Sequence, residues 1–224
     1  MNPINQPDYL DGELIHAGSE DETVSVHLRE EETLHRCTTS VEMAGKLAPY
    51  LYGSPIRAFG TASWIRHETA GWQLQQFFIE EFVPLQGKSA SKAVAVDASF
   101  LAILLGNRAT SISDLDSENT KVIIPTPALA QVLTHGPKVS QAELEQIQKS
   151  ARFQIRPFDD KAAIELAYLL GQNVTKNILK FDRQIVAIAK VYGAGVLYAN
   201  DDEVVKFAVE CGLQVTRFED LRAG

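Results

Sequence analysis

The hydrophobic rhythm of the chain changes abruptly at Gln86-Gly-Lys-Ser-Ala-Ser-Lys92, a run of small and polar residues between two strongly apolar stretches. Before it, short β-rich segments follow one another with turn residues between them. After it, apolar runs of strand length alternate with helical ones. The two periodicities bury different faces, so one continuous sheet or one helical bundle does not accommodate both. The expected organisation is α+β with two domains, residues 1–86 and 93–224, joined by a linker at 87–92. A length of 224 residues allows this, since a domain takes roughly 100–200 residues and two small ones fit.

In the first part, Glu13 to Ala17, Thr23 to Leu28 and Leu34 to Thr39 read as strands separated by Gly, Ser and acidic residues. Ser40 is a fitting N-cap for a helix carrying Met43, Leu47 and Leu51, which Gly53 closes. Two longer strands follow, Ile56 to His67 and Trp72 to Leu85. The order β-β-β-α-β-β is that of an OB-like small β-barrel. A split barrel or an SH3-like barrel with an inserted helix is the competing arrangement.

In the second part, strands are expected at Ala93 to Val96, Lys121 to Ile124, Phe153 to Pro157, Gly195 to Tyr198 and Leu213 to Arg217. Helices are expected at Phe100 to Leu105, Ala128 to Leu133, Ser140 to Ala151, Asp159 to Gly171, Asp182 to Tyr192 and Asp201 to Cys211. Ser140 with Glu143 is a capping box. Strands separated by helices imply a mostly parallel sheet covered on both faces, with ligands bound beyond the carboxyl ends of its strands.

Charge separates the two parts further. Residues 1–88 hold 13 acidic and 6 basic side chains, net −7, whereas 89–224 hold 16 and 15, net −1. A basic nucleic-acid wrapper is excluded. The acidic domain is a poor home for a phosphate backbone, with Arg57, Arg66 and His67 its only basic strip. Its aromatics Phe59, Trp64, Trp72, Phe77, Phe78 and Phe82 are at strand positions where core packing is the commoner role. The acids Glu20-Asp21-Glu22 and Glu30-Glu31-Glu32 read as solvated loops. Cys37 and Cys211 are too far apart in sequence to suggest a disulfide framework or a zinc site. With no signal peptide and no apolar run near the ~18 residues of a membrane span, a soluble cytoplasmic protein without membrane contact is expected.

The strand-end rule isolates a few acids. Asp97 follows Val-Ala-Val, Asp201 and Asp202 follow Val-Leu-Tyr-Ala-Asn200, and Asp182 opens a helix. Carboxylates that converge repel unless a cation joins them, and oxygen-only ligands suit Mg²⁺ or Mn²⁺. Such a centre hydrolyses phosphodiesters. The competing role for Asp182 and Asp201 is helix N-capping, and for Asp97 a turn residue.

Four segments carry a family resemblance: Val-Asp-Ala-Ser-Phe-Leu at 96–101, Ile-Pro-Thr-Pro-Ala-Leu-Ala-Gln-Val-Leu at 124–133, Lys-Phe-Asp-Arg-Gln-Ile-Val-Ala-Ile-Ala at 180–189 and Tyr-Ala-Asn-Asp-Asp at 198–202. In order and spacing they resemble PIN-domain ribonucleases, and the toxins of bacterial toxin–antitoxin pairs most of all, over residues 92–221. The resemblance implies an α/β PIN-like nuclease domain acting on RNA through Mg²⁺ or Mn²⁺. It places metal-binding catalytic roles on Asp97, Asp182 and Asp201 and a fourth catalytic position on Gln131. Ser99, Asn200 and Asp202 take supporting roles. Arg108, Lys176, Lys180 and Arg183 are expected to line the RNA groove.

Gln131 departs from the family, which has Glu there. The carboxamide keeps one carbonyl oxygen but loses the charge and cannot act as a base. Ala199 departs too, removing a hydroxyl that the family has as Thr or Ser. An attenuated or inactive endoribonuclease is expected, either a natural variant or one altered to make a toxic enzyme tolerable. The alternative is a catalytically silent PIN-like binding or scaffold module in a protein assembly. The acidic first domain is then a candidate antitoxin-like or intramolecular inhibitor, and the family resemblance implies a homo-oligomer.

Overall fold

The computed structural model describes residues 3–20, 23–86, 92–106, 120–171 and 179–220. It has two compact units, Met1–Ser89 with Lys149–Ala151, and Ala90–Gln148 with Arg152–Gly224. The division is thus not a single cut at the expected linker, whose residues 87–91 lie outside the described ones.

The first unit is a closed barrel of β1 (Ile4–Glu20), β2 (Thr23–Glu30), β3 (Thr33–Ser40), β4 (Ile56–His67) and β5 (Gly71–Pro84), in the order β1-β2-β3-β5-β4. This is the OB-like arrangement, and it sets the competing barrels aside. A strand as long as β1 makes closure possible. Its first part pairs with β4, from Ile4 opposite Trp64 to Gly12 opposite Ile56, and its second part pairs with β2. A bulge between Leu14 and His16 bends it from one partner to the other.

The expected first strand began only at Glu13. The segment Ile4–Gly12 contains Pro7 and several polar residues, and it lacks the alternation that marks a strand. Tertiary pairing, not local pattern, makes it β.

The last seam is parallel, Thr38 opposite Phe78 and Thr39 opposite Ile79, and the buried Thr39 hydroxyl donates to the Ile79 carbonyl at 2.8 Å. At the register shift between Phe59 and Gly60 in the β4–β5 ladder, a Cβ on Gly60 would stand 1.8 Å from the Phe78 carbonyl oxygen, so only glycine fits.

Inward residues alternate along each strand, as Val24, Val26 and Leu28 do on β2, and fill the barrel with Leu10, Leu14, Ile56, Phe77 and Ile79. Helix α1 (Val41–Leu47) buries Leu47 against this core. Ser40 caps it as expected, accepting from the Met43 N–H at 3.2 Å. The helix stops short of Leu51, because a 3-10 turn at Ala48–Tyr50 replaces the expected last turn.

Arg57 is not part of a basic strip. It is buried at 5% exposure and grips Asp11, at 2%, with Nε and Nη2 at 2.8 and 2.9 Å, while its guanidinium lies 4.5 Å from the Tyr9 ring centre. Of the aromatics, Phe77 is fully buried and Trp64 and Phe82 pack against the core, Phe82 edge-on to Tyr50, whereas Phe59, Trp72 and Phe78 are half-buried outside it. Glu31 and Glu32 form the exposed two-residue turn between β2 and β3. Asp21 and Glu22 lie outside the described residues.

The second unit is a parallel sheet of β6 (Lys92–Val96), β7 (Thr120–Pro125), β8 (Phe153–Arg156), β9 (Val196–Tyr198) and β10 (Gln214–Thr216), in the order β10-β9-β6-β7-β8. The described pairs are all parallel, where a mostly parallel sheet was expected. The connecting helices are α2 (Ala98–Gly106), α3 (Thr126–His135), α4 (Gln141–Lys149), α5 (Asp160–Leu170), α6 (Phe181–Val191) and α7 (Asp202–Glu210).

Both sheet faces are buried. Ala95, Ile123 and Leu197 join a core with Ile185, Val186 and Ala208 from α6 and α7, and Val94, Val96 and Val122 join one with Phe100, Leu101 and Ile147 from α2 and α4. The capping box forms at α4: Ser140 N–H donates to Glu143 Oε2 at 2.8 Å, and Glu143 N–H donates to Ser140 Oγ at 3.3 Å. Among the described residues no helix is long and apolar enough to cross a membrane.

The buried pair of the barrel yields a stability test. Arg57→Ala leaves the Asp11 carboxylate without its guanidinium and is expected to cost about 3–5 kcal/mol. Replacing both residues by apolar ones of similar size costs much less. Denaturant unfolding followed by the fluorescence of Trp64 and Trp72, the chain's two tryptophans, measures this unit directly.

Candidate functional site

Chain order and strand order together locate the site. The first strand of the second unit, β6, lies between β7 and β9, so the connections leave β6 and β9 in opposite directions. A crevice opens at such a switch point, beyond the carboxyl ends of the two strands. Asp97 directly follows β6, and Asn200 and Asp201 follow β9 two and three residues after Tyr198. Asp97 and the Asn200–Asp201 segment, more than a hundred residues apart in sequence, therefore meet here.

Asp97 is 1% exposed. Its Oδ1 accepts from the Ser99 hydroxyl at 2.6 Å and the Phe100 N–H at 2.9 Å. Its Oδ2 accepts from the N–H groups of Asn200 and Asp201 at 3.0 and 3.3 Å. The backbone joins in, with Asp97 N–H donating to the Tyr198 carbonyl at 2.9 Å. The carboxylate thus satisfies first-turn donors of α2 and the chain entering α7 at once. Two helix N-termini point their positive ends at one negative charge.

Asp201 is the N-cap of α7, accepting from Glu203 and Val204 N–H at 2.9 and 3.3 Å through Oδ1. Its capping role, weighed beforehand against metal binding, is the one its hydrogen bonds display. Asn200 turns its carboxamide oxygen to the Phe218 N–H at 2.9 Å and so fastens the chain after β10. Asp202 is exposed and pairs with Arg217 at 2.7 Å. Ser99 is spent on Asp97 through its hydroxyl.

Asp182 does not open α6. Phe181 does, and the N-cap Lys180 provides no side-chain cap. Asp182 lies in a cleft of about 140 Å³ with Lys180, Arg183, Glu203, Lys206, Phe207 and Glu210. There Lys180 stands 3.9 Å from Glu203, and the Arg183 guanidinium lies 5.8 Å from the Phe207 ring centre. Lys180 and Arg183 are thus placed as lining residues, while Arg108 and Lys176 lie outside the described residues. Gln131 is half-buried on α3.

The contribution of α7 to this cleft was missed. Its signal was present in the spacing of Glu203, Lys206, Phe207 and Glu210, which puts all four on one stripe of a helix.

The donor chemistry of Asp97, Asp182 and Asp201 suits Mg²⁺ or Mn²⁺, but their arrangement does not. Among the described residues no three His, Cys, Asp or Glu side chains are grouped so that they could hold a metal ion. Asp97 already accepts four hydrogen bonds, and a carboxylate has about four lone-pair sites. Asp201 spends Oδ1 on its helix. The site as built does not fit the ion.

This division of labour is measurable. Asp97→Asn replaces one acceptor oxygen by a donor and leaves buried N–H groups unsatisfied, at about 1–3 kcal/mol for each. Asp201→Ala loses only a cap, about 1 kcal/mol. Thermal melts followed by far-ultraviolet circular dichroism, whose helical signal comes mostly from α2–α7 of the second unit, should show the larger drop for Asp97→Asn.

No family model and no curated protein matches the chain. Among solved structures, two crystal forms of the mitochondrial single-stranded DNA binding protein Rim1 from S. cerevisiae are similar at 15% and 12% identity, both with a TM-score of 0.28. They cover 38% and 37% of this chain and 98% and 97% of their own. YjeQ from Thermotoga maritima is similar at 12% identity and a TM-score of 0.22, over 92% of this chain and 68% of its own. Similarities this low carry no argument about what the chain does.

Proposed function

We propose that the second unit is a PIN-like ribonuclease domain attenuated to catalytic silence, retained as a binding module in a protein assembly. The observation that carries this reading is the Asp97 carboxylate, whose acceptor capacity is taken by Ser99, Phe100, Asn200 and Asp201. Gln131 supports it, since a carboxamide offers neither the charge nor the basicity of a carboxylate.

The cleft beside Asp182 supports a polypeptide ligand over RNA. Its cations Lys180, Arg183 and Lys206 are matched by Asp182, Glu203 and Glu210. A phosphate backbone gains little from a surface with no net positive charge, whereas a chain of mixed charge finds partners for both signs. The acidic barrel is then a regulatory or assembly unit, an antitoxin-like domain in cis or a contact between copies.

A second reading has its own observation. The position of Asp97 and Asp201 at the switch point is where an α/β sheet places a reacting ligand, which favours an attenuated Mg²⁺- or Mn²⁺-dependent endoribonuclease. RNA cleavage in either metal ion separates the two, using the wild-type chain, Gln131→Glu and Gln131→Glu/Asp97→Asn. The silent module predicts no metal-dependent cleavage by any of them. Cleavage that Gln131→Glu introduces and Asp97→Asn removes would establish the attenuated nuclease instead.

A further inference from the structure

The outer face of the barrel carries a row of titratable groups that the second unit's chemistry does not use. Strand register puts His16 of β1 opposite His27 of β2, and His27 opposite Arg36 of β3. All three alternate with the inward residues Val26 and Cys37, so they face outward together. The His16 and His27 rings are 4.7 Å apart between centres and tilted by 35°. Gly18 makes room for this: a Cβ there would stand 2.8 Å from His16 Nε2.

The described charged groups flanking the row do not relieve it. In the neighbouring row, Glu13 is held by Arg29 at 2.7 Å. On α1, Glu42 and Lys46 pair with each other at 2.7 Å. The remaining described imidazole on these strands, His35, lies in the inward phase opposite Leu28 and meets Glu30 at 3.3 Å.

We propose that the His16–His27–Arg36 row is an acid-sensitive catch across β1, β2 and β3. With neutral imidazoles the row is a tilted ring pair beside one guanidinium, and the strands hold. On protonation it becomes a line of adjacent cations directly across two strand pairs, where like charges oppose pairing. The bulge at Leu14 and His16 is the place where β1 passes from β4 to β2, so loosening there opens the barrel rather than a frayed end.

The sign follows from His27. Burial first, and then the charges of His16 and Arg36, hold its imidazole below the usual pKa. A lowered folded pKa means that the folded state prefers the neutral ring. Its contribution is therefore complete above the unfolded pKa of about 6.5 and is lost as pH falls through the lower folded value.

Both tryptophans, Trp64 and Trp72, are in this unit, so fluorescence-detected melting of the full chain reports the barrel alone. Between about pH 8 and about pH 5.5, the wild-type transition should fall by roughly 4–8 °C more than that of His16→Asn/His27→Asn. Referencing to this double variant removes every pH-dependent contribution that the two proteins share. In Arg36→Gln, which keeps both rings, the NMR titration midpoint of His27 should rise towards the ordinary value. Identical pH dependence in wild type and double variant overturns the proposal, as does a His27 midpoint that is not depressed or does not respond to Arg36→Gln.

Discussion

One carboxylate holds the second unit in register. Asp97 joins the ends of β6 and β9, and its two oxygens take hydrogen bonds from the starts of α2 and of the α7 segment. A buried negative charge is tolerated only when it is solvated by the protein, and here three backbone N–H groups and one hydroxyl do so. The two helix N-termini face the same charge, so each stabilises the arrangement that the other requires. The junction at the ends of β6 and β9 is therefore a fixed point of the fold.

The barrel answers a similar problem by different means. A closed sheet has no exposed edge, because every strand pairs on both sides, and β1 reaches its two partners in succession by bending at a bulge. Its polar first part is held by a buried ion pair to β4, Asp11 with Arg57, while Gly60 lets the β5 backbone come close at a bulge in the β4–β5 ladder. Charges outside the core then vary without disturbing closure, which leaves room for a pH-responsive row on the outer face.

Local signals were legible where the chain itself supplies the partner. The caps at Ser40 and Ser140, the helical stripe of α6 and the alternation of β2 all depend on residues within a few positions of each other. The strand-end position of Asp97 was also visible. What its carboxylate does was not, because its Oδ2 donors lie more than a hundred residues away. The same holds for Arg57, read as a surface cation until Asp11, 46 residues earlier, proves to be its partner. Asp182 opened a helix in the sequence reading but lies one residue inside it, among charges of α7 that only packing brings near.

By itself, the sequence determined the change of architecture near residue 90, the OB-like order of the first unit and the alternating, parallel character of the second. It also determined that position 131 carries a carboxamide and that acidity is concentrated in the barrel. Those properties are set by periodicity and composition, which act through near neighbours. Only the tertiary structure decided that Ile4–Gly12 is a strand, that Arg57 is buried, and that Asp97 is spent on hydrogen bonds instead of standing free. Lone pairs and buried charges are satisfied by whatever folding brings within about 3 Å, and sequence distance places no limit on which residues those are.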